Sequence, residues 1–132
     1  MSKTDQKFST SFAKDAKYQD GLRDFLEYRD LGVTDATGGQ FHAHVMRVKD
    51  DAGEFDLHTT GLHQHHLDFQ MLYILKGWIR FTYEGRGEFT FGPGDCCMQP
   101  AGIVHNELDC SDDLELLEIT SPANYKTATI AG

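Results

Sequence analysis

The stretch HQHHLDFQMLYILKG, residues 63–77, places two histidines one residue apart, ahead of an apolar run that ends at a glycine. Alternate side chains of a β-strand point to the same face, so His63 and His65 would lie on one face, about 7 Å apart along the backbone. Two imidazoles at that spacing can converge on one metal ion. The stretch therefore predicts a strand that contributes to a metal site.

Short runs of apolar and β-branched residues recur on both sides of this stretch. They are separated by breaks that contain Gly, Pro or Asp, at Gly61, Gly77 and residues 84–87, 92–95, 100–102 and 110–113. Many short strands with a turn signal about every 8–12 residues are typical of a sandwich or barrel. We therefore expect an all-β fold, a single antiparallel β-barrel or jelly roll.

Length and composition limit the chain to one domain. It has 132 residues, of which 39% are hydrophobic and 25% charged, which is a globular rather than a disordered composition. We expect an N-terminal arm with a possible edge strand over residues 1–35 and the barrel over residues 36–122. Residues 123–132 are expected to form a C-terminal tail that either frays or crosses to another subunit.

The net charge of −9, from 21 acidic and 12 basic residues, would repel phosphate groups. Nucleic acid and membranes are therefore excluded as expected partners. The longest apolar run, Met71 to Leu75, is far shorter than the roughly 20 residues that cross a bilayer, and the N-terminus carries no apolar signal segment. The three cysteines do not indicate a secreted disulfide framework. We therefore expect a cytoplasmic protein.

Residues 63–77 resemble the first sequence motif of the cupin superfamily, and GDCCMQPAGIVHNELD, residues 94–109, resembles the second. The two motifs occur in the family's order, with sixteen residues between them. The resemblance implies a small single-domain cupin barrel whose turns are shaped by Gly77, Gly94, Pro100 and Gly102. It also implies four metal ligands, which are His63, His65, Gln70 and His105.

Three positions depart from the family's pattern. Gln70 stands where a glutamate is usual, Asp109 where an asparagine is usual, and Leu57 where a glycine usually precedes the first histidine. Because Gln70 and the imidazoles are neutral, a divalent transition metal (Fe, Mn, Ni or Zn) would keep its formal charge of +2. Such an ion attracts an anionic or carbonyl oxygen and acts as a Lewis acid.

The resemblance implies a metal-dependent enzyme that acts on a small anionic or carbonyl-containing substrate, as an isomerase, lyase or hydrolase does. The alternatives are a cupin dioxygenase and a cupin that binds a metal or a ligand without turnover. No catalytic residue is assigned. The candidate general bases are His58, Tyr73, Tyr83 and Glu107.

We expect other roles for the remaining histidines and for Asp109. His42 and His44 form a second His-x-His, but the rest of the motif does not follow, so we expect a solvated or hydrogen-bonded strand face. His66 should face outside the barrel, and His58 could line the mouth of the pocket. Asp109 alternates onto the face of His105, where it would be either a hydrogen-bond acceptor for that imidazole or a loop residue.

Cys96 and Cys97 would point to opposite faces of a strand, so we expect two small buried hydrophobes rather than a shared metal site. Most of the aromatic stripe is expected in the core, and its members are Trp78, Phe81, Tyr83, Phe89 and Phe91. Tyr73 and Leu75 alternate away from Gln70 toward an outer face. A homodimer that buries this face is therefore expected, with a small-molecule substrate as the other partner.

Overall fold

The computed structural model of the protein describes residues 5–20, 25–50 and 61–129. The helical elements are a 3₁₀ turn (Ala13–Asp15) before the first strand and one turn of helix, α1 (Val33–Ala36), between the second and third strands. The strands are β1 (Gln19–Asp20), β2 (Leu26–Asp30), β3 (His42–Val48), β4 (His63–His66), β5 (Phe69–Lys76), β6 (Ile79–Tyr83), β7 (Gly87–Phe91), β8 (Cys96–Met98), β9 (His105–Cys110), β10 (Glu115–Ser121) and β11 (Lys126–Thr129). Within these ranges no helix has the length and apolar character needed to cross a membrane.

The strands form two antiparallel sheets that share one core. The six-stranded sheet has the order β1-β2-β3-β10-β5-β8, and the five-stranded sheet has the order β11-β4-β9-β6-β7. Leu72 and Ile74 of the first sheet pack in one cluster with Ile79, Phe81 and Tyr83 of the second. The predicted all-β jelly roll is confirmed.

Alternation along β5 decides which residues face the core. Leu72 and Ile74 are buried together with Gln70, whereas Tyr73 and Leu75 between and beyond them are exposed. A one-residue slip of this strand would exchange the two faces, so burial of the apolar set fixes its register. The same register brings the polar Gln70 to the inner side of the barrel.

Part of the segment after Pro122 pairs with the barrel of the same chain. Lys126–Thr129 forms β11, which pairs with β4 and places Thr127 opposite His65. The strand satisfies the backbone N–H and C=O groups at the edge of β4, which would otherwise be unpaired. The tail thereby becomes a wall of the barrel beside the predicted metal ligands.

Gly77 closes the tight connection from β5 to β6 with a left-handed backbone, at φ 73°. A Cβ on this residue would meet Ser111 Oγ, lie 2.7 Å from Asp113 Oδ1 and lie 2.9 Å from the Leu114 Cα. Gly85, in the next hairpin, has a similar φ of 77°, but a Cβ there would have nothing within 4 Å. A comparison of alanine substitutions at these two positions therefore separates backbone strain from steric crowding.

Gly77→Ala should destabilise the protein by about 1–2 kcal/mol through its left-handed backbone and by about 1–3 kcal/mol more through crowding. Gly85→Ala should destabilise the protein only by the about 1–2 kcal/mol that comes from the left-handed backbone. Urea unfolding followed by circular dichroism measures both free energies. Equal losses for the two variants would contradict the crowding at Gly77.

The outer face of β5 and β8 carries exposed apolar side chains. Tyr73 lies opposite Cys96 and Met71 opposite Met98, so the two strands present one continuous surface. Its exposed large hydrophobic residues are Phe69, Tyr73, Leu75 and Met98. An apolar patch of this kind is costly in water unless another surface covers it. We propose that two copies of the chain pack these faces together.

A homodimer should sediment at about twice the monomer mass of 14.9 kDa at micromolar concentration. The double variant Tyr73→Lys, Leu75→Glu should sediment as a monomer, because it places charges on the buried face. Thr90→Lys, on the exposed part of β7 in the other sheet, is the matched control and should remain dimeric. An unmodified protein that sediments near 14.9 kDa would contradict the proposal.

Candidate metal centre

A cavity of about 400 Å³ lies inside the barrel and is lined by residues of both sheets. Its apolar lining includes Leu26, Leu72, Ile79, Phe81, Leu114 and Leu116. Its polar lining includes the three predicted histidine ligands together with Gln70, Gln99, Glu107, Glu118 and Tyr125. Among the described residues that line it there is no Lys or Arg. The cavity thus joins an apolar wall to a cluster of imidazoles and carboxylates.

The three histidines meet in this cavity. His63 on β4 lies directly opposite His105 on β9, and His65 is the next inward-facing residue of β4. The ring centroids are 4.4 Å apart for His63 and His105, and 5.0 Å apart for His65 and His105. One nitrogen from each ring lies within 4.8 Å of the other two. The sheet register, and not only the spacing in sequence, creates this cluster.

Hydrogen bonds on the far side of the rings set the imidazole tautomers. The Nδ1 of His63 donates to the Gly61 carbonyl at 2.9 Å, and the Nδ1 of His105 donates to the Ile103 carbonyl at 3.0 Å. A carbonyl only accepts, so both rings carry their proton on Nδ1 and a lone pair on Nε2. The Nδ1 of His65 is likewise engaged, 2.7 Å from Thr127 Oγ1.

His65 and His105 are uncharged at neutral pH. Burial, with the nearby His105 and His63, lowers the pKa of His65 to about 4. Burial also lowers the pKa of His105. Neutral imidazoles with the Nε2 lone pairs directed into one cavity are the ligands that Zn²⁺, Ni²⁺, Fe²⁺ and Mn²⁺ take from proteins. The residues present therefore fit the divalent transition metal that the sequence predicts.

Gln70, the fourth predicted ligand, is buried and lines the same cavity. Its Nε2 donates to Glu118 Oε2 at 2.8 Å. Burial raises the pKa of Glu118, but the contacts with His44 and Gln70 lower it by more, so the pKa lies below its ordinary value. Glu118 is therefore an ionised carboxylate inside the barrel at neutral pH.

Glu118 is the main site residue that sequence reasoning missed. It stands between Leu116 and Thr120, which are both buried on the inner face of β10. A charged residue at an inward position of a buried strand is a signal of function or pairing that the run LELLEIT does contain. The alternation of this strand could have revealed it.

Of the four candidate bases, only Glu107 is placed in the cavity by the described part of the chain, with its Oε2 3.8 Å from His63 Nε2. Tyr73 was a wrong candidate, because it faces outside the barrel and is 39% exposed. Tyr83 is buried, its hydroxyl accepts a hydrogen bond from Gln99 Nε2 at 2.7 Å, and burial raises its pKa. His58, like Leu57, lies outside the described residues.

Asp109 does not reach the face of His105. The pairing of β9 with β6 slips by one residue between Glu107 and Asp109, which oppose the consecutive residues Phe81 and Arg80. This bulge reverses the alternation, so Asp109 is exposed and its carboxylate accepts from the Cys110 backbone N–H at 2.8 Å. The hydrogen bond to the imidazole, one of the two alternatives for Asp109, is not formed, and the Ile103 carbonyl takes that place.

His42 and His44 form a hydrogen-bonded strand face, one of the two expected arrangements, and both are half-buried. Within residues 5–20, 25–50 and 61–129 the only metal-type cluster is the one formed by His63, His65 and His105. His44 nevertheless contacts a residue that lines the cavity, because its Nε2 lies 2.9 Å from Glu118 Oε1. His66 is exposed, as expected.

The cysteines and aromatic residues follow the predicted pattern only in part. Cys97 is half-buried, but Cys96 is exposed, because it lies on the outer face of the sheet, opposite Tyr73 of β5. Phe81 is in the core, whereas Phe89 lies on the edge strand β7 and is 45% exposed. The expectations of burial for Cys96 and Phe89 were therefore wrong.

The tail adds cavity residues that the sequence did not indicate. Tyr125 precedes β11 and lines the cavity, with its ring centroid 5.5 Å from that of His65. Burial raises the pKa of Tyr125 to about 12, so its phenol keeps its proton at neutral pH. Thr127 contacts the Nδ1 of His65. No local pattern connects residues 125–127 to the histidines, because the pairing of β11 with β4 joins distant parts of the chain.

Solved structures share this fold at low sequence identity. KdgF from Halomonas sp. matches with a TM-score of 0.63 at 16% identity, over 88% of this chain and 96% of that chain. The polyketide cyclase RemF from Streptomyces resistomycificus matches with a TM-score of 0.67 at 16% identity, over 96% and 87%. The Fe(II) form of HppE matches with a TM-score of 0.62 at 15% identity, over 86% and 60%. At these identities the likeness establishes the fold alone.

No curated protein matches the chain. The family model described as the cupin domain matches residues 53–119, about half of the chain, and this range includes His63, His65, Gln70 and His105. The two sheets, the two sequence motifs and this match agree. The chain belongs to the cupin family.

Proposed function

We propose that this cupin is a metal-dependent enzyme that converts a small carbonyl-containing substrate by Lewis-acid chemistry, as an isomerase, lyase or hydrolase. The observation that carries the proposal is the cluster of three imidazoles whose Nδ1 atoms are engaged and whose remaining nitrogens converge in the barrel cavity. His63, His65 and His105 would hold the metal, with the Gln70 oxygen as a fourth ligand. A divalent transition metal bound there supplies a Lewis acid that polarises an oxygen of the substrate.

The charge of the cavity favours a carbonyl-containing substrate over an anionic one. Its described lining residues include two carboxylates, Glu107 and Glu118, and neither Lys nor Arg. Two negative charges offset the +2 of a bound ion, so the cavity offers no net positive field to an anion. Its apolar wall suits a substrate with a hydrocarbon body.

Three side chains of the cavity would handle the substrate. Glu107 is positioned beside His63 to take a proton from the substrate. Tyr125 offers a protonated phenol as a donor. Gln99 is 1% exposed, its Nε2 is held by Tyr83, and its Oε1 has no hydrogen-bond partner among the residues described. That oxygen would accept a hydrogen bond from a substrate hydroxyl, since a buried acceptor without a partner is costly.

The test is turnover by protein loaded separately with Fe²⁺, Mn²⁺, Ni²⁺ and Zn²⁺, with and without oxygen. The substrate panel contains β-diketones and other enolisable ketones, keto acids and unsaturated sugar acids. We expect turnover of uncharged carbonyl compounds without oxygen, and weaker turnover of the acids. A strict requirement for iron and oxygen would favour the dioxygenase alternative. Tight ligand binding with no turnover under any condition would favour the non-catalytic alternative.

We also propose that the protein is located in the cytoplasm. Cys96, Cys97 and Cys110 are all free thiols, and Cys96 is exposed. Exposed free thiols are stable where glutathione and thioredoxin keep them reduced. Fractionation of cells that produce the tagged protein tests this assignment.

A further inference from the structure

A line of polar side chains leads from α1 to the cavity through the second His-x-His of the sequence. Thr34 Oγ1 lies 2.7 Å from His42 Nδ1, and His42 Nε2 lies 2.8 Å from His44 Nδ1. His44 Nε2 lies 2.9 Å from Glu118 Oε1, and the other carboxylate oxygen accepts from Gln70 Nε2 at 2.8 Å. The line, which we call the His42–Glu118 chain, ends on a predicted metal ligand.

The order of the sheet explains why these side chains meet. β10 lies between β3 and β5, with Glu118 directly opposite His44 on one side and Leu72 on the other. Gln70 is one inward position along β5 from Leu72, so it is the diagonal neighbour of Glu118. Directly opposite and diagonal residues on one face of a sheet are within reach of long side chains. The contacts therefore follow from strand order and register.

For neutral imidazoles the contacts have one consistent direction of donation. With Glu118 as the acceptor, His44 carries its proton on Nε2 and accepts on Nδ1, and His42 donates from Nε2 to that atom. His42 then accepts on Nδ1 from the Thr34 hydroxyl. The chain thus contacts the Glu118 carboxylate from the β3 side.

The carboxylate in turn decides which end of the Gln70 amide is free. A carboxylate that accepts on both oxygens takes the NH₂ end of a neighbouring amide, so the amide cannot turn without losing a hydrogen bond. In the part of the chain that the structure describes, no donor contacts Gln70 Oε1. An amide oxygen binds metal ions, whereas an amide nitrogen has no available lone pair.

We propose that Glu118, held by His44 and His42, is a positioning residue that turns the oxygen of Gln70 toward the three histidines. The inference rests on the proposed metal site. It gives the second His-x-His a role that is separate from metal ligation. The carboxylate that the family usually places at position 70 would here lie one strand away, on β10, and act through the amide.

Isosteric exchange of the two side chains tests this directly. In Glu118→Gln the new amide would accept from His44 through its oxygen and present its NH₂ to Gln70. Gln70 would then turn its own oxygen away from the histidines. We expect the affinity for Co²⁺, measured by competition with a chromophoric chelator, to fall about 10–100-fold. The d–d absorption spectrum of bound Co²⁺ should change as the oxygen ligand is lost.

The double variant Gln70→Glu, Glu118→Gln keeps both contacts with the polarity exchanged, since the new amide at position 118 would donate to the new carboxylate at position 70. It should recover at least the unmodified affinity. This double variant also preserves the net charge, so its recovery alone does not distinguish an effect through Gln70 from an effect of charge. A second comparison makes that distinction. In a Gln70→Ala background, Glu118→Gln should have no further effect on Co²⁺ affinity if Glu118 acts through Gln70.

An equal loss of affinity on Glu118→Gln with and without Gln70 would overturn the inference, because the carboxylate would then act through its charge alone. An unchanged affinity in Glu118→Gln would also overturn it. Thermal unfolding checks that each variant is folded. An unmodified protein that binds no Co²⁺ would overturn the proposed metal site itself, so the two failures are distinguishable.

Discussion

Replacement of His63, His65 or His105 by Ala should reduce bound metal to a trace. Each ring supplies one of three nitrogens that lie within 4.8 Å of one another, so removal of one leaves a pair of imidazoles and one neutral amide. Loss of one of three strong ligands from such a site weakens binding by orders of magnitude. Metal content after dialysis, measured by plasma mass spectrometry, should fall from about one ion per chain to background.

The fold should survive these substitutions, because the core that joins the two sheets is apolar and lies around Ile74, Ile79 and Phe81. Circular dichroism checks this. The double variant His42→Ala, His44→Ala is the control for the choice of histidine pair, since it also removes a His-x-His from an inward strand face. It removes the His42–Glu118 chain and so should lower the metal affinity, but it leaves all three imidazole ligands in place. At saturating metal it should still bind one ion per chain. Loss of metal from this control, with retention in the other three, would show that the site was assigned to the wrong pair.

Glu107→Gln should lower kcat by about 10²–10⁴-fold on any substrate that the unmodified enzyme turns over. Glu107 is the only one of the four candidate bases that the described part of the structure places in the cavity, 3.8 Å from the metal-facing nitrogen of His63. The amide keeps the shape of the side chain but cannot accept a proton. Metal content should stay near one ion per chain, which separates lost proton transfer from lost metal.

Asp109→Asn is the control for this variant. Asp109 is on the same strand, but the bulge turns it to the exposed side, and an amide oxygen can still accept from the Cys110 N–H. Its kcat should stay within a few-fold of the unmodified value. A Glu107→Gln variant with nearly full kcat would exclude Glu107 as the base.

The strand periodicity predicted the fold and the shared face of His63 and His65, because both depend on contacts between neighbouring residues of one strand. The burial of Gln70 and the exposure of Tyr73 follow from the same alternation. The sequence resemblance added His105, which the register then placed opposite His63. These features are local, or are encoded in motifs.

The errors arose where alternation was interrupted or where distant strands met. A bulge in β9 moved Asp109 off the face that simple alternation assigns to it. The link between His44 and Gln70 needs β10 between β3 and β5, which no local pattern predicts. The role of Tyr125 depends on β11 pairing with β4. Such pairings join residues that are far apart in sequence.

The central claim is that three imidazoles of this barrel hold one divalent transition metal. The most direct measurement is anomalous scattering from crystals of the purified, metal-loaded protein, recorded on both sides of the absorption edge of that metal. We predict one anomalous peak per chain, bonded to Nε2 of His63, His65 and His105. A peak at His42 and His44, or no peak within bonding distance of these three rings, would contradict the account.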